Sequence, residues 1–113
     1  MHDAQTVQRK HLLTAAIGAR PTSTVEIRQI DFAPGQKTGL HRHPCPVVGY
    51  IASGTIVFEP EGEAPRILPA GSAFFEPADK KILRFDNASL EEPATFIAFY
   101  LLADDGGELI EML

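Results

Sequence analysis

The sequence predicts an all-β domain built as an antiparallel sandwich or barrel. Short runs of β-branched and aromatic residues recur along the whole chain, and turn residues separate them. The nine prolines and nine glycines are spread evenly, which suits many short strands joined by turns. Helical periodicity is thin, and its best run is residues 12–17. This pattern is typical of antiparallel sandwiches and barrels.

The N-terminal half of the chain begins with a predicted strand over residues 6–17, where a helix is the alternative. Residues 24–32 alternate with period two, and the phase slips near Arg28 and Gln29, which predicts a β-bulge. Residues 38–43 form a further short predicted strand, which ends at the two prolines flanking Cys45.

The C-terminal half predicts a hairpin followed by short strands. Residues 47–52 and 55–58 are predicted to pair across the tight turn at Ser53 and Gly54. Three shorter strands follow, and the final strand covers residues 95–102. That strand is apolar on both faces, so another layer should cover its outer side, either the N-terminal segment or a second subunit. The other predicted strands are residues 66–68, 73–75 and 81–85.

Length and charge restrict the partners of the protein. The 113 residues fit a single domain over residues 1–113. The net charge is −5 and lysine and arginine do not cluster, so we expect no nucleic-acid partner. No apolar run approaches the ~20 residues that span a membrane. A single cysteine, Cys45, and the lack of a signal-peptide pattern predict a cytoplasmic protein without disulfides.

His41 and His43 are the strongest candidates for chemistry. Spaced two apart on a strand, their side chains point to the same face, and Arg42 points to the other. Two such imidazoles can share one divalent transition metal ion, and Zn, Ni, Fe, Mn and Cu all accept histidine. We therefore treat both as candidate metal ligands and candidate catalytic residues. His2 and His11 lie outside this pattern and are expected at the surface.

The spacing around these histidines resembles the two sequence motifs of the cupin superfamily. The first motif covers residues 35–54 and the second covers residues 71–87, and the resemblance extends over about residues 24–102. It implies a double-stranded β-helix, or jelly-roll, barrel. It also implies a homodimer formed through the N-terminal strand and an outer sheet face. The matching positions are Gly35, His41, His43, Gly54, Gly71 and Pro77.

The metal-binding pattern of that family is retained only in part. The family's glutamate position is Val47, its third histidine position is Ile82, and a motif glycine is Asp79. Two imidazoles alone leave a metal site incomplete, so another side chain or solvent must complete it. The candidates nearest in the sequence are Cys45, Glu59, Glu61, Glu76 and Asp79.

The apolar replacements also predict a pocket for a small molecule. Desolvation in such a pocket should favour neutral imidazoles and lower the pKa of His41. A neutral imidazole can act as a general base or can anchor the polar end of a ligand. Tyr50 should point away from the pocket, and Tyr100 is expected to have a packing role. The predicted lining is His41, His43, Val47, Ile51, Phe74, Ile82 and Phe96.

Three functions remain open at this point. The first is a small-molecule binder around the two histidines, with or without catalysis. The second, implied by the resemblance, is a metal-dependent enzyme of the dioxygenase, isomerase or decarboxylase kind. The third is a structural or regulatory module with a filled barrel, for which a packed interior would be diagnostic.

Overall fold

The computed structural model of the protein describes residues 6–103 and 107–113, and within them it contains nine β-strands and no helix. The predicted fold class, an all-β jelly-roll barrel, is confirmed. No helix among the described residues has the length and apolar character to cross a membrane. The strands are β1 Thr24–Phe32, β2 His41–Arg42, β3 Val47–Ser53, β4 Thr55–Pro60, β5 Arg66–Pro69, β6 Ala73–Glu76, β7 Ile82–Asn87, β8 Ala94–Leu102 and β9 Glu111–Met112.

The strands form two antiparallel sheets, which we call sheet A and sheet B. Sheet A has the order β1-β8-β3-β6, and sheet B has the order β5-β4-β7-β2-β9. Strand β8 lies at the centre of sheet A, and every second residue of it is buried because the strand alternates between the core and the outer face. The core between the sheets is rich in aromatic rings, including Phe58, Phe74, Phe85 and Phe96.

The predicted bulge near Arg28 and Gln29 is wrong. Strand β1 pairs with β8 without interruption from Thr24 opposite Leu102 to Phe32 opposite Ala94. The alternation of apolar and polar residues shifts by one position along β1, because the first part of the strand has apolar residues on its outer face and the second part has them on its inner face. Val25 and Ile27 point outward and are exposed, whereas Ile30 and Phe32 point into the core. The register does shift elsewhere, between Ile51 and Ser53 where β3 pairs with β8, and between Glu59 and Pro60 where β4 pairs with β7.

The predicted hairpin between β3 and β4 is also wrong, although the turn that joins them is real. Strand β3 pairs with β6 and β8 in sheet A, and β4 pairs with β5 and β7 in sheet B. The chain crosses from one sheet to the other at Gly54, which has a φ of 80°. A Cβ atom there would overlap the Pro93 carbonyl and Ala94, so this corner requires glycine.

The strand predicted over residues 38–43 is regular only at His41 and Arg42, where β2 pairs with β7 and β9. Before β2 the chain is held by side-chain hydrogen bonds instead. The backbone amide of Thr38 donates to Asp86, and its hydroxyl donates to the Phe85 carbonyl. Strand β9 was not predicted, because two residues carry too little periodicity to detect.

Residues 6–17 do not form the predicted strand. Part of the segment shares a groove with Val48, Tyr50 and Phe99, which point outward from sheet A. The segment therefore lies against a face of the sheet, where no row of free backbone groups is available for pairing. His11 is exposed there and hydrogen-bonds Thr14, as expected of a surface residue, whereas His2 lies outside the described residues.

Candidate functional site

His41 and His43 enter the interior from sheet B, as their spacing predicts. Both side chains are buried, and their ring centroids are 5.0 Å apart with the planes nearly perpendicular. Arg42 points outward, where it pairs with Glu111. The two imidazoles therefore converge on one point in the core, which is the geometry that a shared ligand requires.

Backbone carbonyls fix the tautomer of both imidazoles. Nδ1 of His41 lies 2.8 Å from the Gly39 carbonyl oxygen, and Nδ1 of His43 lies 2.6 Å from that of Leu109. Because a carbonyl only accepts hydrogen bonds, each Nδ1 must carry a proton and donate it. Each neutral ring then directs the bare lone pair of Nε2 into the interior. Metal-binding histidines are commonly oriented in this way by a hydrogen bond from the second nitrogen.

Glu76 reaches the same point from the other sheet. It ends β6 on the inward face that also carries Phe74, and it is only 2% exposed. Its Oε1 lies 2.5 Å from Nε2 of His43 and 3.6 Å from Nε2 of His41. Although these distances are short, Oε1 makes no well-oriented hydrogen bond within the described residues. The carboxylate oxygen therefore faces two nitrogen lone pairs and needs a cation or a proton between them.

The three donor atoms fit a transition metal ion. One ligand atom from each of His41, His43 and Glu76 lies within 4.8 Å of the others. Two ligands at 2.1 Å from an ion, at right angles, are about 3.0 Å apart, which falls between the two observed Nε2–Oε1 distances. Two histidines and one carboxylate form a recognised set for non-haem iron and are compatible with other divalent metals.

The position of Glu76 accounts for the missing glutamate of the first motif. Val47 occupies the family's glutamate position, and Glu76 is its direct cross-strand partner in the β3–β6 pair. Directly opposed residues in a sheet project from the same face with Cβ atoms about 5 Å apart. A carboxylate on Glu76 therefore reaches nearly the same space as one at position 47. The third histidine position, Ile82, is opposite His41 and is fully buried.

The side chains of the other candidate ligands do not join the donor group of the two histidines, although the Asp79 backbone amide donates to the His43 carbonyl. Glu59 pairs with Arg84, and Glu61 is exposed in a turn. Asp79 lies in the loop after β6 with a φ of 64°, a conformation that explains the glycine of the family motif at this position. Cys45 is buried in the hydrophobic core, and burial raises the pKa of its thiol, which favours the protonated form. The alternation of Phe74 and Glu76 along β6 is a signal in the sequence that could have favoured Glu76, although the prediction did not rest on it.

We call His41, His43 and Glu76 the triad. Without a metal ion, the pKa values in the triad depend on the contacts between the Glu76 carboxylate and the imidazoles. Burial disfavours the charged form of His41, but contacts with Glu76 and the Gly39 carbonyl outweigh it and raise the pKa of His41 above 6.5. Burial likewise opposes ionisation of Glu76, yet His41 and His43 together lower its pKa below 4.5. The expectation from the sequence that the pKa of His41 is lowered is therefore wrong. It took valine at position 47 to mean that no negative charge lies near the histidines, whereas Glu76 supplies that charge.

These shifts predict how the stability of the metal-free protein depends on pH. The raised pKa of His41 stabilises the fold below 6.5, and this contribution is lost as the pH rises through the folded-state value. The lowered pKa of Glu76 stabilises the fold above 4.5, and this is lost as the pH falls through the folded-state value. Thermal unfolding with chelator present should show a midpoint that is highest between these limits and declines above neutral pH.

A Glu76→Gln variant is the control for this pH dependence. It removes the charge that shifts the pKa of His41, so its thermal midpoint should change less on the alkaline side of the maximum. A wild-type midpoint that rises steadily above neutral pH in chelator would contradict the ionic account of the triad.

A cavity of about 340 Å³, partly open to solvent, adjoins the triad. Of the seven residues predicted to line the pocket, five border this cavity. Ile51 and Ile82 are instead fully buried core residues away from it. Tyr50 points outward, as expected, whereas Tyr100 lines the cavity with its ring 5.8 Å from that of His43. The cavity is lined by Arg28, Ile30, Phe32, Thr38, His41, His43, Val47, Phe74, Glu76, Phe85, Phe96, Ala98, Tyr100, Leu109 and Ile110.

The C-terminal segment is a part of the site that sequence reasoning missed. Leu109 and Ile110 form one wall of the cavity, and the Leu109 carbonyl orients His43. Strand β9 holds this segment in place by pairing with β2, and the Leu113 amide donates to the Leu40 carbonyl. No motif marks these residues, because the contribution to His43 comes from a backbone carbonyl that any amino acid could provide.

Residues 28–100 match the sequence profile of the cupin domain. The match covers more than half of the chain and includes both motifs and all three triad residues. The protein therefore belongs to the cupin superfamily, as the spacing of its histidines predicted. No curated protein sequence matches the chain significantly.

Solved structures with a similar fold are cupins and enzymes from diverse sources. The DMSP lyase DddQ from Ruegeria pomeroyi DSS-3 is 18% identical with a TM-score of 0.65, over 78% of this chain and 42% of that one. A cupin-like protein from Thermotoga maritima is 22% identical with a TM-score of 0.64, over 79% and 64%. An oxalate oxidase in complex with the substrate analogue glycolate is 24% identical with a TM-score of 0.62, over 79% and 46%. The chain thus spans less than half the length of the two enzymes, and at these identities the likeness concerns the fold.

Proposed function

We propose that the protein is a metal-dependent cupin enzyme that acts on a small organic molecule. His41, His43 and Glu76 would bind one divalent first-row transition metal ion at the end of the interior cavity. The observation that carries this proposal is the buried Glu76 Oε1, which lies close to Nε2 of both histidines and has no hydrogen-bond partner among the described residues. Two histidines and one carboxylate with open positions are typical of non-haem Fe(II) oxygenases, so dioxygenase chemistry is favoured over isomerase and decarboxylase chemistry.

A bound ion would supply Lewis acidity and a position for a substrate oxygen or for O₂. The chain's own residues have separate tasks. The carbonyls of Gly39 and Leu109 hold the imidazoles in orientation, and Glu76 would neutralise one charge of a bound ion. The apolar walls would limit the contact of a bound substrate with water. Burial and the charge of Glu76 raise the pKa of Tyr100, so its hydroxyl stays protonated at neutral pH and can donate a hydrogen bond to a substrate oxygen.

A metal-free binder of small molecules is the second candidate. The apolar cavity supports it, since such pockets are the usual sites of small-molecule binding. The raised pKa of His41 also supports it, because a proton can occupy the place of the metal. The cavity argues against a structural module with a filled barrel. A binder of this kind would be stabilised by apolar ligands without any metal.

Elemental analysis of untagged protein purified without chelator distinguishes these functions. We expect close to one equivalent of a first-row transition metal in the wild-type protein. A His41→Ala/His43→Ala variant should contain metal only at trace level, and an Arg84→Gln variant should match the wild type because Arg84 pairs with Glu59. If the wild type contains only trace metal and does not bind added Fe(II), Mn(II) or Zn(II), the metalloenzyme hypothesis is wrong and the metal-free binder is supported.

We also propose that the protein is a homodimer formed through the outer face of sheet A. Val25, Ile27 and Tyr50 are exposed on this face, and Leu12 and Leu13 of the N-terminal segment are exposed beside it. Contiguous exposed apolar surface of this kind marks interaction sites. Light scattering should give the mass of a dimer, and Ile27→Glu should shift it to that of a monomer.

Cytoplasmic localisation remains a prediction.

A further inference from the structure

The cavity has a second polar group, Arg28, on the strand farthest from Glu76 within sheet A. Arg28 pairs with Ala98, which is buried on the inner face, so the register places Arg28 on the same face. It borders the cavity, and strands β8 and β3 separate its strand from β6. Its side chain is 57% exposed, so Arg28 lies where the cavity meets solvent.

Within the described residues, the hydrogen bond that Arg28 makes uses only one edge of its guanidinium group. Nε donates to Glu26 Oε2 at 2.5 Å, and Glu26 precedes it on the same face of β1. In the described part of the chain, neither Nη nitrogen has a protein acceptor in this arrangement. A guanidinium that is oriented but not saturated is suited to bind a carboxylate through two parallel hydrogen bonds.

The charges of the cavity favour an anionic ligand. A divalent ion bound by one carboxylate and two neutral imidazoles carries a net charge of about +1. Arg28 adds a positive charge beside the cavity, and its partner Glu26, which does not line the cavity, offsets part of that charge. Between these groups the walls are apolar, with Ile30, Phe96 and Ala98 nearest in the sheet. A ligand that complements this cavity has an apolar body and a negative charge.

We propose that the substrate is a small apolar carboxylic acid whose carboxylate binds Arg28 while its body extends towards the triad. This inference rests on the proposed function of the triad and specifies its substrate class. The cavity volume of about 340 Å³ is at the lower end for small-molecule sites, which suits a monocyclic aromatic acid or a short aliphatic acid. Arg28 is then a residue that determines specificity.

Phenylacetate and its neutral counterpart phenylacetamide test this proposal. Their dissociation constants would be measured by calorimetry and by NMR titration, with zinc-loaded and with metal-free protein. We expect the wild type to bind phenylacetate about 10-fold or more tightly than phenylacetamide. Arg28→Gln should abolish this preference and Arg28→Lys should retain only part of it, because lysine cannot bind bidentately. Arg84→Gln, which removes an arginine from the outer face of sheet B, should keep the preference.

The outcomes separate this inference from the proposed function. If Arg28→Gln is folded, binds zinc normally and still prefers phenylacetate, the carboxylate binds the metal and the inference is wrong while the metal site stands. The metal-free wild type could instead prefer phenylacetate to phenylacetamide and lose this preference in Arg28→Gln, while no variant binds metal. That result would support the proposed substrate class and would contradict the proposed metalloenzyme. Failure of phenylacetate, cyclohexanecarboxylate and hexanoate all to bind the zinc-loaded wild type would overturn the inference.

Discussion

Replacement of Glu76 by glutamine is expected to lower the affinity of the protein for Zn(II) or Fe(II) by about 100-fold or more. Loss of an outer-shell partner costs about 10- to 100-fold, and a direct ligand should cost at least as much. Glutamine keeps the size of the side chain and removes its charge and its strongest donor atom. Competition with a chromophoric chelator measures the dissociation constant, and the thermal midpoint in chelator shows whether the variant is folded.

Two further variants sharpen the test of Glu76. Glu59→Gln removes a carboxylate that pairs with Arg84 on the outer side, so it should leave metal affinity unchanged. The exchange Val47→Glu/Glu76→Val moves the carboxylate to the directly opposed position on the same face and should recover much of the lost affinity. Equal affinity in the wild type and in Glu76→Gln would show that the carboxylate is no ligand.

Removal of residues 107–113 is expected to weaken metal binding by about 10- to 100-fold, although no triad residue is deleted. The truncation removes the Leu109 carbonyl that fixes the tautomer of His43, and it opens one wall of the cavity. Without that acceptor the imidazole can rotate or place its proton on Nε2, which then cannot bind a metal. The same chelator competition measures this loss, and circular dichroism reports whether the barrel remains folded.

Glu111→Ala is the matched control for the truncation. It removes the exposed ion pair with Arg42 but leaves the β2–β9 backbone pairing and the Leu109 carbonyl. Exposed ion pairs contribute little to stability, so metal affinity should stay close to that of the wild type. If the truncated protein is folded and binds metal as tightly as the wild type, the C-terminal segment has no part in the site.

The fold class was predictable because alternation and turn residues are local properties. Strands β3 to β8 were predicted within one or two residues for the same reason. The pairing of the strands was harder to predict, because it depends on residues that are distant in the sequence. The turn at Gly54 has the local chemistry of a hairpin, and only the close approach of Pro93 and Ala94 shows that it joins two sheets. Residues 6–17 could be read from their composition as a strand or a helix, and their position against a face of sheet A depends on residues distant in the sequence.

The same distinction applies to the site: some of its residues follow from local sequence, and others depend on contacts between distant parts of the chain. His41 and His43 are two residues apart, so their common direction follows from strand geometry alone. Glu76 could be named only as one of several candidates, because its opposition to Val47 is a matter of register between β3 and β6. The carbonyl of Leu109 was beyond prediction, since a backbone acceptor leaves no trace in the amino-acid type.

The origin of the three triad residues has a consequence for how the barrel opens. The histidines belong to the side of the barrel formed by sheet B, and Glu76 belongs to β6 of sheet A. An ion bound by all three connects the two sheets across the core as a crosslink does. The sheets could then part only after the ion had left, so the fluctuations that admit solvent to either layer would become one concerted event. Amide hydrogen exchange would slow in both layers together on metal loading, including strands that lie far from the ion.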